Sequence, residues 1–392
     1  MLTKAENDFL TRVGPGEPAG ELLRRYWHPV APAQELSDEH PTRFVRLLGE
    51  DLVLFKDRSG GVGLLGDHCS HRSASLLYGR VEERGISCAY HGWLYDTRGN
   101  CLETPAQPAD SKFYLTVKHK AYPVRKFVGL YWAYLGPQPA PEIPRYDLWV
   151  RRDGRRRIIV HPRLDCNWLQ PMENSADPAH ADILHQHPER GHGAANPTRG
   201  FVDDIEAYDF RETWYGLMKK RVHQEVGGEE HPILFPNILR VGNTAQIRVP
   251  MDDTHCYVVF VRFHPTEDGS LVEEEEDELP VEYREPYKNP PGALYPHTLF
   301  RFWDPTQIDN QIQDYMAWET QGPITNRAVE HLATSDRGVV MLRDMLRREI
   351  EKVLRGEDPM VVIRDPNHAM IDTNLDESLR HSGRRRAAGM PA

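Results

Sequence analysis

The sequence predicts an α+β protein: a small antiparallel β domain first, then a larger domain whose antiparallel strands are closed by one long helix. Three observations carry this. Between Thr42 and Tyr134, short apolar or alternating runs (Phe44–Leu48, Leu52–Phe55, Val62–Leu65, Leu130–Tyr134) are punctuated by Gly, Asp and Asn, the pattern of strands joined by turns. The stretch Gly136–Pro144 carries a proline at nearly every second position, can continue neither ladder nor helix, and reads as a linker. Val339, Leu342, Leu346, Ile350 and Val353 then recur every three or four residues, with Gly356 placed to stop a helix that should lie across a sheet.

Taken in order, Lys4–Trp27 reads as a helix interrupted at Gly14-Pro15-Gly16. Gly14, Gly16 and Gly20 mimic a nucleotide-binding fingerprint, but no strand precedes them and no acidic partner follows at the needed interval. Beyond the linker, Arg157–Pro162, Ile238–Val241, Ala245–Val249 and Tyr257–Phe263 are strand candidates, with a helix expected near residue 178. The acidic run 273–278 is expected to be a solvated loop, and the Arg-rich tail to be disordered. These elements divide the 392 residues into 1–143, 144–375 and a tail, 376–392.

Composition excludes several classes. A net charge of −11 disfavours nucleic acid and anionic membrane as partners, and there is no long apolar run. The N-terminal residues Met1–Asp8 lack the apolar region of an export signal, so the cytoplasm is the expected compartment. Cys101, Cys166 and Cys256 are too scattered for a disulfide framework and are read as buried free thiols.

The other two cysteines are different. Cys69-Ser70-His71-Arg72 and Cys88-Ala89-Tyr90-His91-Gly92-Trp93 form two Cys/His pairs, with sixteen residues between His71 and Cys88. A structural zinc site also takes two Cys and two His, but usually groups like with like. Here each Cys brings its own His, which suits a two-iron cluster with both thiolates on one iron and both imidazoles on the other.

A second constellation is Glu173-Asn174-Ser175-Ala176-Asp177-Pro178-Ala179-His180, with His185 five residues on. Five residues turn through about 500° of helix, so the two imidazoles converge only if the helix bends between them. Pro178 favours a helix start, which makes Asp177 a candidate N-cap; that role does not exclude a second one.

The two constellations together resemble the oxygenase component of Rieske non-haem iron oxygenases, in the branch of phthalate dioxygenase, dicamba monooxygenase and dehydrodivanillate O-demethylase, over residues 1–375 or so. The C-x-H-R and C-x-x-H-G-W signatures match at Cys69, His71, Cys88 and His91. The family's N-x-x-D-x-x-H-x4-H segment matches at Asn174, Asp177, His180 and His185. The resemblance implies a [2Fe-2S] cluster, and a ferrous iron held by His180, His185 and a late Asp. It implies a helix-grip domain, in which an antiparallel sheet wraps a long C-terminal helix, and a head-to-tail homotrimer in which Asp177 links His91 of one subunit to His180 of the next. Asn174 is carried over as a second residue acting at the iron. The third ligand is read two ways. In the family the Asp is followed five positions on by Glu, which selects Asp314 through Glu319. A regular helix over 308–322 would instead put Ile308, Ile312, Tyr315, Met316 and Glu319 on one face, with Asp309 at its edge and Asp314 pointing away, so periodicity favours Asp309.

The implied activity is dioxygen-dependent hydroxylation or O-demethylation of a small aromatic compound. No nicotinamide or flavin site is legible, so the resemblance implies a separate NAD(P)H-dependent reductase, with or without a ferredoxin. The competing readings are a Rieske electron-transfer protein with a non-catalytic C-terminal domain, which would lack the triad, and a zinc-stapled binding protein, which would be colourless. Arg240 and Arg248 could anchor an acidic substrate, but arginines on strands are more often exposed and are expected to be so here.

Overall fold

The computed structural model describes residues 1–185, 205–223, 227–284 and 310–373. Asp309, His187, His192 and the Arg-rich tail lie outside the described residues.

Helix α1 (Lys4–Thr11) starts at a reciprocal cap, in which Thr3 Oγ1 accepts from the Glu6 amide and the Glu6 carboxylate accepts from the Thr3 amide. The chain breaks at the glycines, Gly16 adopting φ +83°, and α2 (Pro18–Leu23) follows. It stops short of the Trp27 end that the sequence suggested, because Trp27 opens the first strand. Both helices pack on the long C-terminal helix. Asn7 Nδ2 donates to the Thr325 carbonyl, and Arg12 pairs with Asp253 at 2.8 Å.

The first lobe contains β1 (Trp27–Pro32), β2 (Thr42–Leu47), β3 (Glu50–Lys56), β4 (Val62–Gly66), β5 (Arg80–Glu82), β6 (Gly85–Ser87), β7 (Leu94–Tyr95), β8 (Cys101–Glu103), β9 (Ala121–Tyr122), β10 (Val124–Phe127) and β11 (Leu130–Tyr134). They form three antiparallel sheets, ordered β1-β11-β10, β2-β3-β4-β9 and β5-β6-β7-β8. Val53, Phe55, Leu65, Leu76, Ile86 and Tyr95 make a small core of their own around Cys69 and Cys88. The main core runs on from β1, β2 and β11 into the second lobe.

Past the Pro-rich linker come β12 (Arg145–Tyr146), α3 (Asp147–Val150), β13 (Gly154–Leu164), α4 (Leu169–Ala176) and α5 (Ala179–Ile183). Next are β14 (Ile205–Thr213), β15 (Gly216–His223), β16 (Gly227–Leu234), β17 (Ile238–Val241), β18 (Thr244–Pro250), β19 (Cys256–Pro265) and β20 (Val281–Tyr283). The helices α6 (Asn310–Thr320) and α7 (Arg337–Leu354), then β21 (Met370–Ile371), close the described chain. An eight-stranded sheet, β14-β15-β16-β17-β18-β19-β13-β20, is antiparallel except where β20 joins β13 in parallel. The helix α7 buries Val339, Leu342, Leu346, Ile350 and Val353, as the periodicity predicts. Gly356, at φ +81°, ends it: the Gly356 amide bonds the Val353 carbonyl and the Glu357 amide reaches back to Lys352, a Schellman closure.

The acidic run is exposed at Glu273, Glu275, Asp277 and Glu278, as expected, but Glu274 and Glu276 are partly buried. Glu274 bonds the backbone and guanidinium of Arg156, Glu276 accepts from the Val128 amide at 3.0 Å, and Asp277 pairs with Lys126 at 2.8 Å. Arg156 at the start of β13 and Lys126 of β10 supply the counter-charge, and the run fastens β10 and β11 to the large sheet.

Candidate metal centres

The two Cys/His loops are built alike. Cys69 accepts from the Ser73 amide (2.9 Å) and donates to the Ala74 carbonyl (2.9 Å); Cys88 accepts from Gly92 (2.8 Å) and donates to the Trp93 carbonyl (2.9 Å). The residue four past each Cys is left-handed, Ser73 at φ +58° and Gly92 at +70°. This shared turn buries both sulfurs and brings the His71 and His91 rings to 4.5 Å between centroids. Trp93 stacks on His71 at 4.4 Å, and Tyr90 lies against His91 at 3.8 Å. The Tyr95 hydroxyl is 3.2 Å from Cys69 Sγ. Burial raises the Cys69 thiol pKa, so a thiolate here calls for a cation. Desolvation, His71 and Arg72 lower His91, favouring the neutral ring that a ligand must be. His71 Nδ1 is buried with no hydrogen-bond partner. Two facing thiols, two imidazoles and an orphaned ring nitrogen fit a Rieske cluster.

The second site forms where α4 gives way to α5. Asp177 turns the chain between them, its Oδ1 accepting from the Ala179 amide at 2.8 Å, while Oδ2 lies 3.5 Å from His180 Nδ1. The cap and the contact with His180 thus occupy different oxygens of one carboxylate. The helix α5 ends at Ile183, so His185 swings back from the next turn and the two rings meet at 5.3 Å. From α6, Asp314 Oδ1 stands 3.7 Å from His180 Nε2 and 3.3 Å from His185 Nε2. Donor atoms of these three residues all lie within 4.8 Å of one another. Donors about 2.1 Å from a metal and at right angles would be roughly 3 Å apart, so the set fits one face of an octahedral ion. Asn174 Nδ2 donates to Asp314 Oδ1 at 3.3 Å.

The helical wheel is corrected. Within α6, Gln313, Tyr315 and Trp318 are buried while Ile312 and Met316 are only half-buried, because the helix lies between the sheet and α4 and is covered on more than one side. The expected exposure of Arg240 and Arg248 is also overturned, since both are fully buried. Arg240 is neutralised by Asp147 and held by Thr373. Sequence reading missed Gln313, whose Oε1 is 2.9 Å from His185 Nδ1, and Lys219, which is 5% exposed. Lys219 sits in the run Met218-Lys219-Lys220-Arg221, which reads as solvated. Burial along β15 does not alternate, since Leu217, Met218 and Lys219 are all buried, so the run carries no signal that separates Lys219 from Lys220.

A small cluster lobe beside a three-donor centre in a helix-covered sheet defines a two-site iron redox protein. Residues 26–126 match the Rieske [2Fe-2S] domain. Over 379 residues the chain is 40% identical to the 5,5'-dehydrodivanillate O-demethylase oxygenase subunit of Sphingobium sp., covering 93% of this chain and 84% of that one. It is 34% identical to the phthalate 4,5-dioxygenase oxygenase subunit of Pseudomonas putida, over 91% and 88% of the two chains. The fold matches NdmA of Pseudomonas putida CBB5 (TM-score 0.59, 23% identity, 86% and 94% coverage) and dicamba monooxygenase (0.57, 17%, 85% and 99%). The chain belongs to the Rieske non-haem iron oxygenases. It is an oxidoreductase, the oxygenase component of such a system, and carries a Rieske [2Fe-2S] cluster and non-haem iron. Among the described residues, no helix is long and apolar enough to cross a membrane.

Proposed function

We propose that this oxygenase hydroxylates or O-demethylates a small aromatic compound, using electrons from a separate NAD(P)H-dependent reductase, directly or through a ferredoxin, in the cytoplasm. The observation that carries the reading is the convergence of His180, His185 and Asp314 on one point. In this assignment Cys69 and Cys88 hold one iron of the cluster, His71 and His91 the other, and the triad holds ferrous iron. Bound in such a triad, ferrous iron supplies dioxygen activation through its open positions. The chain's own residues prepare the site. Gln313 Oε1 accepts a hydrogen bond from Nδ1–H of His185 and so leaves Nε2 free to ligate, and Asn174 steadies the Asp314 carboxylate. The O-demethylase name of one relative and the dioxygenase name of another support the two reaction types.

The units are 1–143 for the cluster, 144–375 for the iron and 376–392 as a tail. The assembly is a homotrimer in which Asp177, with 26% of its side chain exposed, also accepts from His91 of the partner subunit. Anaerobically prepared protein should be brown, hold about three irons per chain and give a Rieske-type signal on reduction. Zinc in place of iron, or two irons with no third, would sink the reading.

A further inference from the structure

The cluster lobe holds a third imidazole, His119, which neither metal site uses. It stands just before β9 and is 4% exposed. Its amide bonds the Gly99 carbonyl at 2.7 Å, and the amide of Gly66, at the end of β4, bonds the carbonyl of the next residue, Lys120, at 2.9 Å. Both ring nitrogens are engaged: Nε2 lies 2.7 Å from the Gly66 carbonyl oxygen, and Nδ1 lies 2.7 Å from Ser70 Oγ. The ring also lies against that of Tyr95, with centroids 4.7 Å apart and planes tilted by 35°.

These contacts fix the direction of each proton. A carbonyl can only accept, so Nε2 carries the ring proton. Burial lowers the His119 pKa, which keeps the ring neutral, and Nδ1 therefore accepts from the Ser70 hydroxyl. Ser70 stands between Cys69 and His71, so this bond ties the first ligand loop to the sheet that contains β4 and β9. The second loop has Ala89 at the matching place and no hydroxyl to offer. Tyr95 completes the arrangement. Its hydroxyl is 3.2 Å from Cys69 Sγ, and a Cys69 thiolate bound to iron has no proton, so the hydroxyl donates. A donor at a cluster sulfur favours the reduced state, which carries the extra negative charge, and such bonds are among the factors that set the potential. The length of this one depends on where the loop puts Cys69 and where the Tyr95 ring lies. His119 holds the loop through Ser70 and touches the ring.

We propose that His119 is a positioning residue for the cluster: by holding Ser70 and the Tyr95 ring together it keeps the Tyr95 hydroxyl on Cys69 Sγ, and so raises the potential at which the cluster accepts an electron. The inference stands on the cluster lobe alone and goes beyond the reaction proposed for the iron site. A higher potential favours uptake of electrons from the donor and leaves less driving force for delivery to the iron. His119 thus sets how an electron is shared between the two sites.

The test measures the cluster's reduction potential in anaerobic holoprotein, by equilibrium titration against redox dyes read in the cluster's visible absorbance. The electron spin resonance spectrum of the reduced cluster checks that both imidazoles still bind. His119→Phe keeps an aromatic ring and loses both hydrogen bonds. Ser70→Ala loses the hydroxyl alone, at an exposed place where the second loop already carries alanine. Each should shift the reduction equilibrium about tenfold toward the oxidised cluster, the order of one weakened hydrogen bond to a charged acceptor, which is about 59 mV for one electron. The double variant should shift no further than the larger single one, since both break the His119–Ser70 bond. Tyr95→Phe should lower the potential at least as far, and adding His119→Phe to it should move nothing more. If His119→Phe does not load a cluster, Ser70→Ala and its combination with Tyr95→Phe read the same question. A wild-type or higher potential in Ser70→Ala overturns the proposal. So does a shift in either variant that persists in full in the Tyr95→Phe background, because His119 would then be core packing and nothing more.

Discussion

With the proposed ligand set, Gln313 decides which nitrogen of His185 faces the iron position, because its Oε1 accepts from Nδ1 at 2.9 Å and fixes the tautomer. Replacing it with Leu keeps the bulk and removes the acceptor. Gln313→Leu should weaken retention of the mononuclear iron by about 10–100-fold in a chelator competition and leave the cluster's absorbance unchanged. Asp314→Ala should deplete that iron and abolish turnover, since it removes both charge and bond, whereas Asp309→Ala should cost at most a helix cap, about 0.5–2 kcal/mol. Iron retained in Asp314→Ala but lost in Asp309→Ala would reverse the assignment. At this scale much was legible. Spacing alone required a bend between His180 and His185, and the end of α5 at Ile183 supplies it. The choice between the two aspartates was not legible from periodicity, because α6 is covered on several sides and presents no single apolar stripe.

Among the elements, α7 meets the iron site through α4. A Cβ on Gly338 would stand 2.3 Å from the Ala176 carbonyl and 2.3 Å from the Phe210 ring, whereas one on Gly356 would meet nothing. Gly356→Ala should therefore lower stability by about 1–2 kcal/mol, the cost of a left-handed alanine, with turnover unchanged. Gly338→Ala should lower both, since it presses on the residue before Asp177; unchanged turnover would contradict that coupling. The same two helices are tied by Glu173, which is buried between Arg327 and Arg343. Desolvation pushes its carboxyl up, but the two guanidinium groups outweigh this and hold its pKa below the ordinary value. The stability it contributes is thus present above the unfolded carboxyl pKa and lost as pH falls through the lower, folded one. Glu173→Gln should cost about 3–5 kcal/mol at neutral pH by leaving the buried Arg327 without a carboxylate, while Arg343 keeps Glu330, and should flatten the acid limb of a melting-temperature profile. The strands β14, β15 and β16 were missed in the sequence because charged residues break the apolar rhythm that marks a strand: Glu206, Asp209 and Arg211 in β14, Lys219, Lys220 and Arg221 in β15, and Glu229 and Glu230 in β16. The two- and three-residue strands β5 to β8 are too short to show a rhythm at all. Where one face is apolar over several turns, as in α7, the sequence was sufficient.

At the scale of the whole molecule, the cluster loops and the triad sit on different lobes, and Asp177 is the residue that could join them between subunits. Its Oδ1 is committed to the Ala179 amide, while Oδ2 faces His180. Asp177→Asn keeps the size and the capping ability, since Asn and Asp cap about equally. It removes the charge and one acceptor. The variant should stay folded, trimeric and loaded with both metals, and its cluster should accept electrons from a chemical reductant, while transfer to the iron and substrate turnover nearly stop. Wild-type turnover would reduce Asp177 to a cap. A mixed assembly asks the same question without touching Asp177. Chains with Cys69→Ser should lack a cluster, and chains with His180→Ala should lack the mononuclear iron, so each homo-oligomer should be inactive. If electrons pass from the cluster of one subunit to the iron of the next, hybrids of the two should recover part of the activity, because some interfaces join an intact cluster to an intact iron. Electron transfer confined within a chain predicts no recovery in any mixture, and that result would remove the reason for placing Asp177 at an interface.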